Sequence, residues 1–418
     1  MKKRVILYCN YTNESIRSHM RLSNLKFDNL LRKFLGIPCL EYRDAAPWIK
    51  SFVSYFEKSA EYELHIACIQ QGLISEYENF EDNGVYYHYI KSGYGLLDKV
   101  KAKLWNTQKS NDYPIYRSRF SHALAGISPD LVIICGAENP DYAAAFLKDK
   151  CPRKIVVMQT LMNDPKRIAM GVSTEYRCQF ENRVIGEARH FAIPDPSWTN
   201  YVLSVNKTAD CYDFIFPTIR PPFSERGKAS YDFVFFAGIL GSYKGTNDLV
   251  DAMAIVHKVR TEATLNIIGG ADAAYMEKLK QQISKNQLDE VVTLTPSFAN
   301  RVDVFKEVAK ASYVVLPSIT ASLNSTVREA MLMGLPTIVY ETSSTKMINN
   351  ESCCLLSAKM ENVKDLSDKM LYALDNPSAM VKMGQEGQVY AERHFTQEAF
   401  EANLSRIIDR IMNAYEYQ

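Results

Sequence analysis

The sequence predicts an α/β protein of two doubly wound domains, each a mainly parallel sheet flanked by helices. Three observations predict it. Short β-rich runs alternate with helix-like segments along nearly the whole chain, which is the pattern of βαβ units. Apolar runs such as DLVIICG (130–136) and RKIVVMQT (153–160) lack alternation, so both faces of those strands are buried, as in a parallel sheet. The length, 418 residues, exceeds one ordinary core.

In the first half, strands are expected at 4–9, 62–69, 85–90, 130–135 and 154–160, with helices at 46–58, 116–127 and 141–148 among the segments between them. The pattern restarts after PTIRPPFSERGKAS (217–230), whose three prolines, mixed charges and scarcity of apolar residues mark a linker. Then follow strand 231–237, helix 247–259, strand 264–268, helix 274–284, strand 291–295, helix 302–311, strand 313–317, a helix within 318–336, and strand 337–340. The expected division is therefore domain 1–216, linker 217–230, domain 231–395 and a terminal helix 396–418, with the two domains facing each other across a cleft. Phe400, Leu404, Ile407, Ile408 and Ile411 give the terminal helix one apolar face, suited to crossing back over both domains.

Composition excludes several classes. With 47% hydrophobic and 23% charged residues the chain is an ordinary globular one, and 49 basic against 48 acidic residues give no argument for a nucleic-acid partner. The nine cysteines contain no CxxC pair, which argues against a zinc site or disulfide framework and suits a reducing cytoplasm. The apolar run in MKKRVILYCNYTNES is too short for a signal peptide, and no segment approaches the roughly 20 apolar residues of a membrane span. A cytoplasmic protein is expected. The segment 98–110, with Lys99, Lys101, Lys103 and Lys109 beside Leu104 and Trp105, could rest peripherally on an anionic inner-membrane face; a solvated helix is the alternative. His65, His88, His122 and His190 have no metal-ligand spacing and are read as structural.

Two turns carry candidate chemistry. DFVFFAGILGSYKGTNDLVDAM (232–253) is a strand, a loop with Gly238, Gly241 and Gly245, and a helix. Its glycines permit close backbone approach, the helix start offers free N–H groups, and Ser242 and Lys244 add a hydroxyl and a mobile charge suited to a diphosphate. It is neither GxGxxG nor GxxxxGK[ST], and a plain strand-to-helix turn with a solvated lysine is the alternative. In SITASLNSTVREAMLMGLPTIVY (318–340), Asn324, Ser325 and Thr326 form a second polar turn before a helix. Val327, Ala330 and Met331 form its buried stripe, and Glu329 lies off that stripe, where a carboxylate can accept two ribose hydroxyls; a solvated first-turn glutamate is the alternative.

In order and spacing, FFAGILGSYKG, LNIIGG, YVVLPS and REAMLMGLPTIVY closely resemble the donor half of glycosyltransferase family 4, retaining enzymes of two Rossmann-like domains (the GT-B architecture). The resemblance covers about residues 231–418. More loosely, APWIKSFVSYFEKSAEYELHIACIQ and NGVYYHYI resemble the acceptor domain of bacterial surface-polysaccharide members. It implies that Lys244 contacts the donor diphosphate, that Glu329 binds the ribose, that amides around Asn324, Ser325 and Thr326 cradle phosphate, and that Ser297 and Phe298 border the base. It also implies that no metal cofactor is needed, and no acidic DxD triplet suggests one.

The departures are specific. The family pairs its lysine with an arginine five residues earlier, where this chain has Ile239, and the first acid of its EX7E pattern is Ala321. A histidine common near the end of strand 130–135 is absent, with Glu138 nearby. Arg17, Ser18 and His19, in the loop after the first strand, stand where ligands of open α/β sheets bind, and Arg17 is the candidate substitute cation. The expectation is a retaining transferase moving a sugar from a nucleotide-diphosphate donor to a glycan or lipid-linked acceptor, for example in capsule synthesis. A nucleotide-sugar epimerase of the same fold, or a weakened nucleotide-sugar-binding subunit, are the rivals.

Overall fold

The computed structural model describes residues 2–34, 39, 41–42, 44–92, 114–218, 220–221, 229–298, 300–320 and 323–414. The basic segment 98–110, most of the 217–230 linker and Ala321 lie outside the described residues. The chain forms two compact units. The first comprises the residues up to Ile193, Trp198–Phe214 and those from Glu401 on; the second comprises Pro194–Ser197 and Ile215–Phe400.

Unit 1 holds a sheet of β1 (Lys3–Tyr8), β2 (Tyr62–Gln70), β3 (Tyr77–Asp82), β4 (Val85–Lys91), β5 (Leu131–Cys135), β6 (Lys154–Val157), β7 (His190–Ile193) and β8 (Asp210–Asp213). Its order is β3-β4-β2-β1-β5-β6-β7-β8, parallel throughout except for β3 against β4. The central strands are wholly buried, as their continuous apolar runs require: Leu131 to Cys135 are all 0% exposed. On β2 and β4 the rings of His65 and His88 lie buried with Nδ1 and Nε2 3.0 Å apart, and His65 Nε2 lies 3.0 Å from Glu63. The terminal helix Gln397–Ala414 buries Phe400, Leu404, Ile407, Ile408 and Ile411. Within unit 1 its Asn403 donates to the Asp213 carbonyl and its Glu401 pairs with Lys58.

Unit 2 holds β9 (Tyr231–Ile239), β10 (Leu265–Gly270), β11 (Val292–Thr295), β12 (Ala311–Leu316), β13 (Thr337–Tyr340) and β14 (Leu356–Ala358), all parallel. Its order, β11-β10-β9-β12-β13-β14, is the 3-2-1-4-5-6 winding of dinucleotide-binding folds. The winding reverses between β9 and β12, so the loops leaving those two strands stand at the switch point on the carboxyl edge, where ligands of such sheets bind.

The α/β character and the two parallel sheets are as the sequence predicts. Strand 154–160 stops at Val157, and helix 46–58 opens with a 3-10 turn, Pro47–Ile49. Strands β3, β7, β8 and β14 were not anticipated.

Candidate active site

The two polar turns singled out in the sequence meet at the switch point of unit 2. After β9 the chain makes one 3-10 turn, Ser242–Lys244, and enters helix Thr246–Val259 through Gly245 at φ +74°. A Cβ on Gly245 would lie 1.9 Å from the Pro317 carbonyl oxygen, so only glycine lets the β9 loop press against the backbone that follows β12. The Tyr243 carbonyl accepts from Ile319 N–H (3.3 Å) and from Ser318 Oγ (3.4 Å), and Thr246 Oγ1 closes the turn on the Gly241 carbonyl (3.3 Å). The two loops are thus held as one structure.

Lys244 Nζ donates to Asn324 Oδ1 at 3.0 Å, across 80 residues of sequence. Asn324 is the N-cap of helix Ser325–Leu332, but its side chain makes no cap bond, its oxygen being turned to Lys244 instead. No side chain caps that helix, so its first amides and its positive dipole end stand beside a lysine ammonium, an arrangement that suits an anion. Ser325 is exposed and Thr326 half-buried at this edge, as are Ser242 (exposed) and Gly241 (buried) on the facing loop. Gly238 is exposed and has open space around it. Ser297 and Phe298 follow β11 on the same carboxyl edge and are exposed, with Ser297 Oγ 3.3 Å from where a Cβ on Gly270 would stand. Ile239 is 66% exposed.

Glu329 corrects one expectation. Lying off the stripe of Val327, Ala330 and Met331 does not leave it open, since it is only 3% exposed. Its Oε1 accepts from the Arg301 guanidinium, and Oε2 is enclosed with no hydrogen-bond partner. Arg301 begins helix Arg301–Val308 after β11, is 42% exposed, and covers the acid from the solvent side. Burial pushes the Glu329 carboxyl above its ordinary value, and Arg301 and Arg328 oppose that shift. Arg328 lies 5.9 Å from the ring centroids of Phe216 and Phe395, and burial lowers its pKa to about 10. Arg301 is the site residue that sequence reasoning missed. Its signal, an arginine at the first position of an Asn-capped helix after a neighbouring strand, was present but shared by many surface helices.

Unit 1 holds the other candidates at its own carboxyl edge. Arg17 pairs with Asp44 at 2.8 Å, Ser18 Oγ donates to the Ser15 carbonyl, and His19 stacks on Phe80 with centroids 5.1 Å apart. Arg17 is therefore engaged within unit 1. Glu138 follows β5 and has its Oε2 enclosed without a partner, and burial raises its carboxyl to about 7. Among the described residues no group of three or more His, Cys, Asp or Glu side chains is arranged to hold a metal ion. None of the described helices is long and apolar enough to cross a membrane.

Two parallel α/β units, the second wound 3-2-1-4-5-6, constitute the GT-B architecture of glycosyltransferases. More particularly, residues 222–390 match the family described as glycosyl transferases group 1. An uncharacterized glycosyltransferase of Methanocaldococcus jannaschii is 24% identical over 166 residues, 40% of this chain and 45% of that protein. The chain spans about half the length of the curated relatives it matches. Among solved structures, sucrose-phosphate synthase from Thermosynechococcus elongatus superposes with a TM-score of 0.72 at 15% identity, covering 99% of this chain and 100% of the other. The Anabaena HepE protein in complex with UDP-glucose superposes with a TM-score of 0.64 at 11% identity, covering 98% and 100%. At such identities the likeness is one of fold.

Proposed function

We propose that the protein is a retaining glycosyltransferase that moves a sugar from a nucleotide-diphosphate donor to a glycan or lipid-linked acceptor in surface-polysaccharide synthesis. The observation that carries this reading is the Lys244–Asn324 contact at the switch point, which joins a cation to an uncapped helix start. Such a corner suits a diphosphate and stabilises the charge that develops as it leaves. Lys244 supplies that charge, the amides of Ser325 and Thr326 hold phosphate oxygens, and Gly241 and Ser242 line the facing loop. Glu329 accepts the ribose hydroxyls once Arg301, which covers it, moves aside on donor binding, with Ser297 and Phe298 beside the base. Unit 1 takes the acceptor. Departure of the diphosphate and attack by the acceptor hydroxyl on one face of the sugar need positioning and charge rather than a protein nucleophile or a metal. The HepE structure holds UDP-glucose, a donor of the class proposed here.

Calorimetric titration with UDP, GDP and ADP and their sugars tests the donor assignment. One nucleoside diphosphate is expected to bind in the micromolar range, with Lys244→Ala reducing its affinity at least tenfold and abolishing slow donor hydrolysis. Absence of binding by the whole panel would sink the reading. Conversion of a nucleotide sugar to its epimer without any acceptor would assign the protein to the epimerases instead.

Ile239 favours one second reading. An exposed isoleucine where a second cation would serve the diphosphate fits a subunit that binds nucleotide sugars and turns them over poorly. Tight nucleotide binding without hydrolysis or transfer would select it.

A further inference from the structure

The carboxyl edge of unit 1 contains a polar cluster that the donor reading does not use. Glu138 stands three residues beyond β5, and the loop leaving the adjacent strand β6 leads into the short helix Pro165–Ala169, which carries Arg167. That loop is fixed from beneath by Glu181, which is 0% exposed and accepts from Met162 N–H (3.0 Å), Asn163 N–H (3.1 Å) and Asn163 Nδ2 (2.8 Å). Arg177 lies on the helix Glu175–Glu187, which also carries Glu181. Both arginines act electrostatically on Glu138, and Arg177 on Asp141. Yet among the described residues neither guanidinium makes an ion pair within 4 Å.

Two enclosed atoms in this cluster lack partners, and they are of opposite kind: Glu138 Oε2, an acceptor, and Arg167 Nε, a donor. Enclosed polar atoms in native proteins are nearly always paired, so an orphaned acceptor and an orphaned donor together mark a place where a polar ligand completes the structure. Burial holds the Glu138 carboxyl near neutrality, its value raised to about 7, so it offsets the arginines only in part at physiological pH. The half-buried Arg167 feels Glu138 and Glu181 but makes no ion pair within 4 Å with either, so its charge is only partly offset, and a desolvated charge is costly until it is paired.

From this geometry we infer that unit 1 binds an acidic sugar, one bearing a phosphate or carboxylate group, with its anionic group on Arg167 and Arg177 and a hydroxyl on Glu138. The inference rests on the reading of unit 1 as the acceptor side and narrows the acceptor to an anionic class. Arginine suits this task because its planar fork meets carboxylate and phosphate oxygens two at a time.

The test uses the full-length protein, titrated calorimetrically with glucose 6-phosphate, glucuronic acid, glucose and inorganic phosphate. Each titration is done alone and with the best nucleoside diphosphate of the panel above at saturation. At least one acidic sugar is expected to bind ten times more tightly than glucose and than inorganic phosphate. Comparing glucose 6-phosphate with glucuronic acid identifies the anionic group. Arg177→Gln, at an exposed position that leaves folding intact, should weaken acidic-sugar binding at least fivefold, and Arg167→Lys, which keeps the charge and loses the fork, by a similar factor. Nucleotide affinity should stay within twofold in both variants.

Equal affinity for glucose, binding of inorganic phosphate as tight as that of the acidic sugars, no acidic-sugar binding under either condition, or unchanged affinity in both variants would each overturn the inference. Acidic-sugar binding without any nucleotide binding would count against the donor reading alone.

Discussion

Glu329 and Arg301 form an unequal pair. The acid is enclosed, while the arginine is half-exposed. Removing the acid returns Arg301 to water, so Glu329→Gln should change stability by no more than about 1 kcal/mol while lowering nucleotide affinity at least tenfold. Removing the arginine leaves a buried carboxylate with only Arg328 to offset its desolvation, a change that costs on the order of 3 kcal/mol. The sign of its pH dependence follows from the direction of the shift. An acid whose folded pKa lies above its unfolded one favours the native state at low pH, and that stability is lost as pH rises toward the folded value. The deficit of Arg301→Ala relative to the parent should therefore be small near pH 5 and larger at pH 7.5. Urea denaturation of both variants at the two pH values measures it; equal deficits at both would show that Arg301 does not hold the charge on Glu329. At this scale the sequence was half legible. Lys244 and Asn324 announced themselves because each stands in a polar turn right after an apolar strand. Arg301 did not, because nothing in the chain relates it to an acid 28 residues away.

At the scale of elements, the contact between the β9 and β12 loops depends on a backbone approach that one residue permits. Gly245→Ala adds left-handed strain of roughly 1–2 kcal/mol to a clash with the Pro317 carbonyl, and relief of that clash must separate the two loops. The variant should melt lower and bind nucleotide at least tenfold more weakly. Gly238→Ala, in open space seven residues earlier, should do neither. Thermal denaturation and nucleotide titration of the pair separate the close-approach account from a general sensitivity of the loop to substitution. The long apolar strands were readable because burial on both faces demands continuous apolar runs. Strand β3 (YENFED) was not, since as an antiparallel edge its residues alternate between exposed and half-buried positions without an apolar face. Strand β14 is three residues long, LSA, and too short to show any period.

At the scale of the whole molecule, the two units share one pH liability at their buried groups, and unit 1 adds another of opposite sign. In unit 2 burial raises the carboxyls of Glu329 and Asp248, which favours the native state toward acid. Unit 1 has raised carboxyls too, at Glu138 and Glu181, but it alone buries the histidine pair. Desolvation lowers both imidazoles, His88 to about 4, with the neighbouring His65 acting in the same direction. A base whose folded pKa is depressed contributes stability that is complete above its unfolded value, near 6.5, and is lost as pH falls toward the folded one. For His88 that amounts to on the order of 2–3 kcal/mol between pH 6.5 and 4. Glu138, raised to about 7, gains stability through the same window, so the histidine contribution is read against His88→Gln, which keeps a hydrogen-bonding side chain but cannot titrate and should make unit 1 more tolerant of acid than the parent. The chain provides its own reporter, for its three tryptophans are Trp48, Trp105 and Trp198, and none falls within Ile215–Phe400. Urea unfolding followed by tryptophan fluorescence at pH 7, 6 and 5 therefore reads unit 1, while calorimetric melting reads both units. The expected result is a fluorescence midpoint that, relative to its pH 7 value, lies lower at pH 5 in the parent than in His88→Gln. Parallel slopes for the two proteins would assign the acid sensitivity of unit 1 to its other groups.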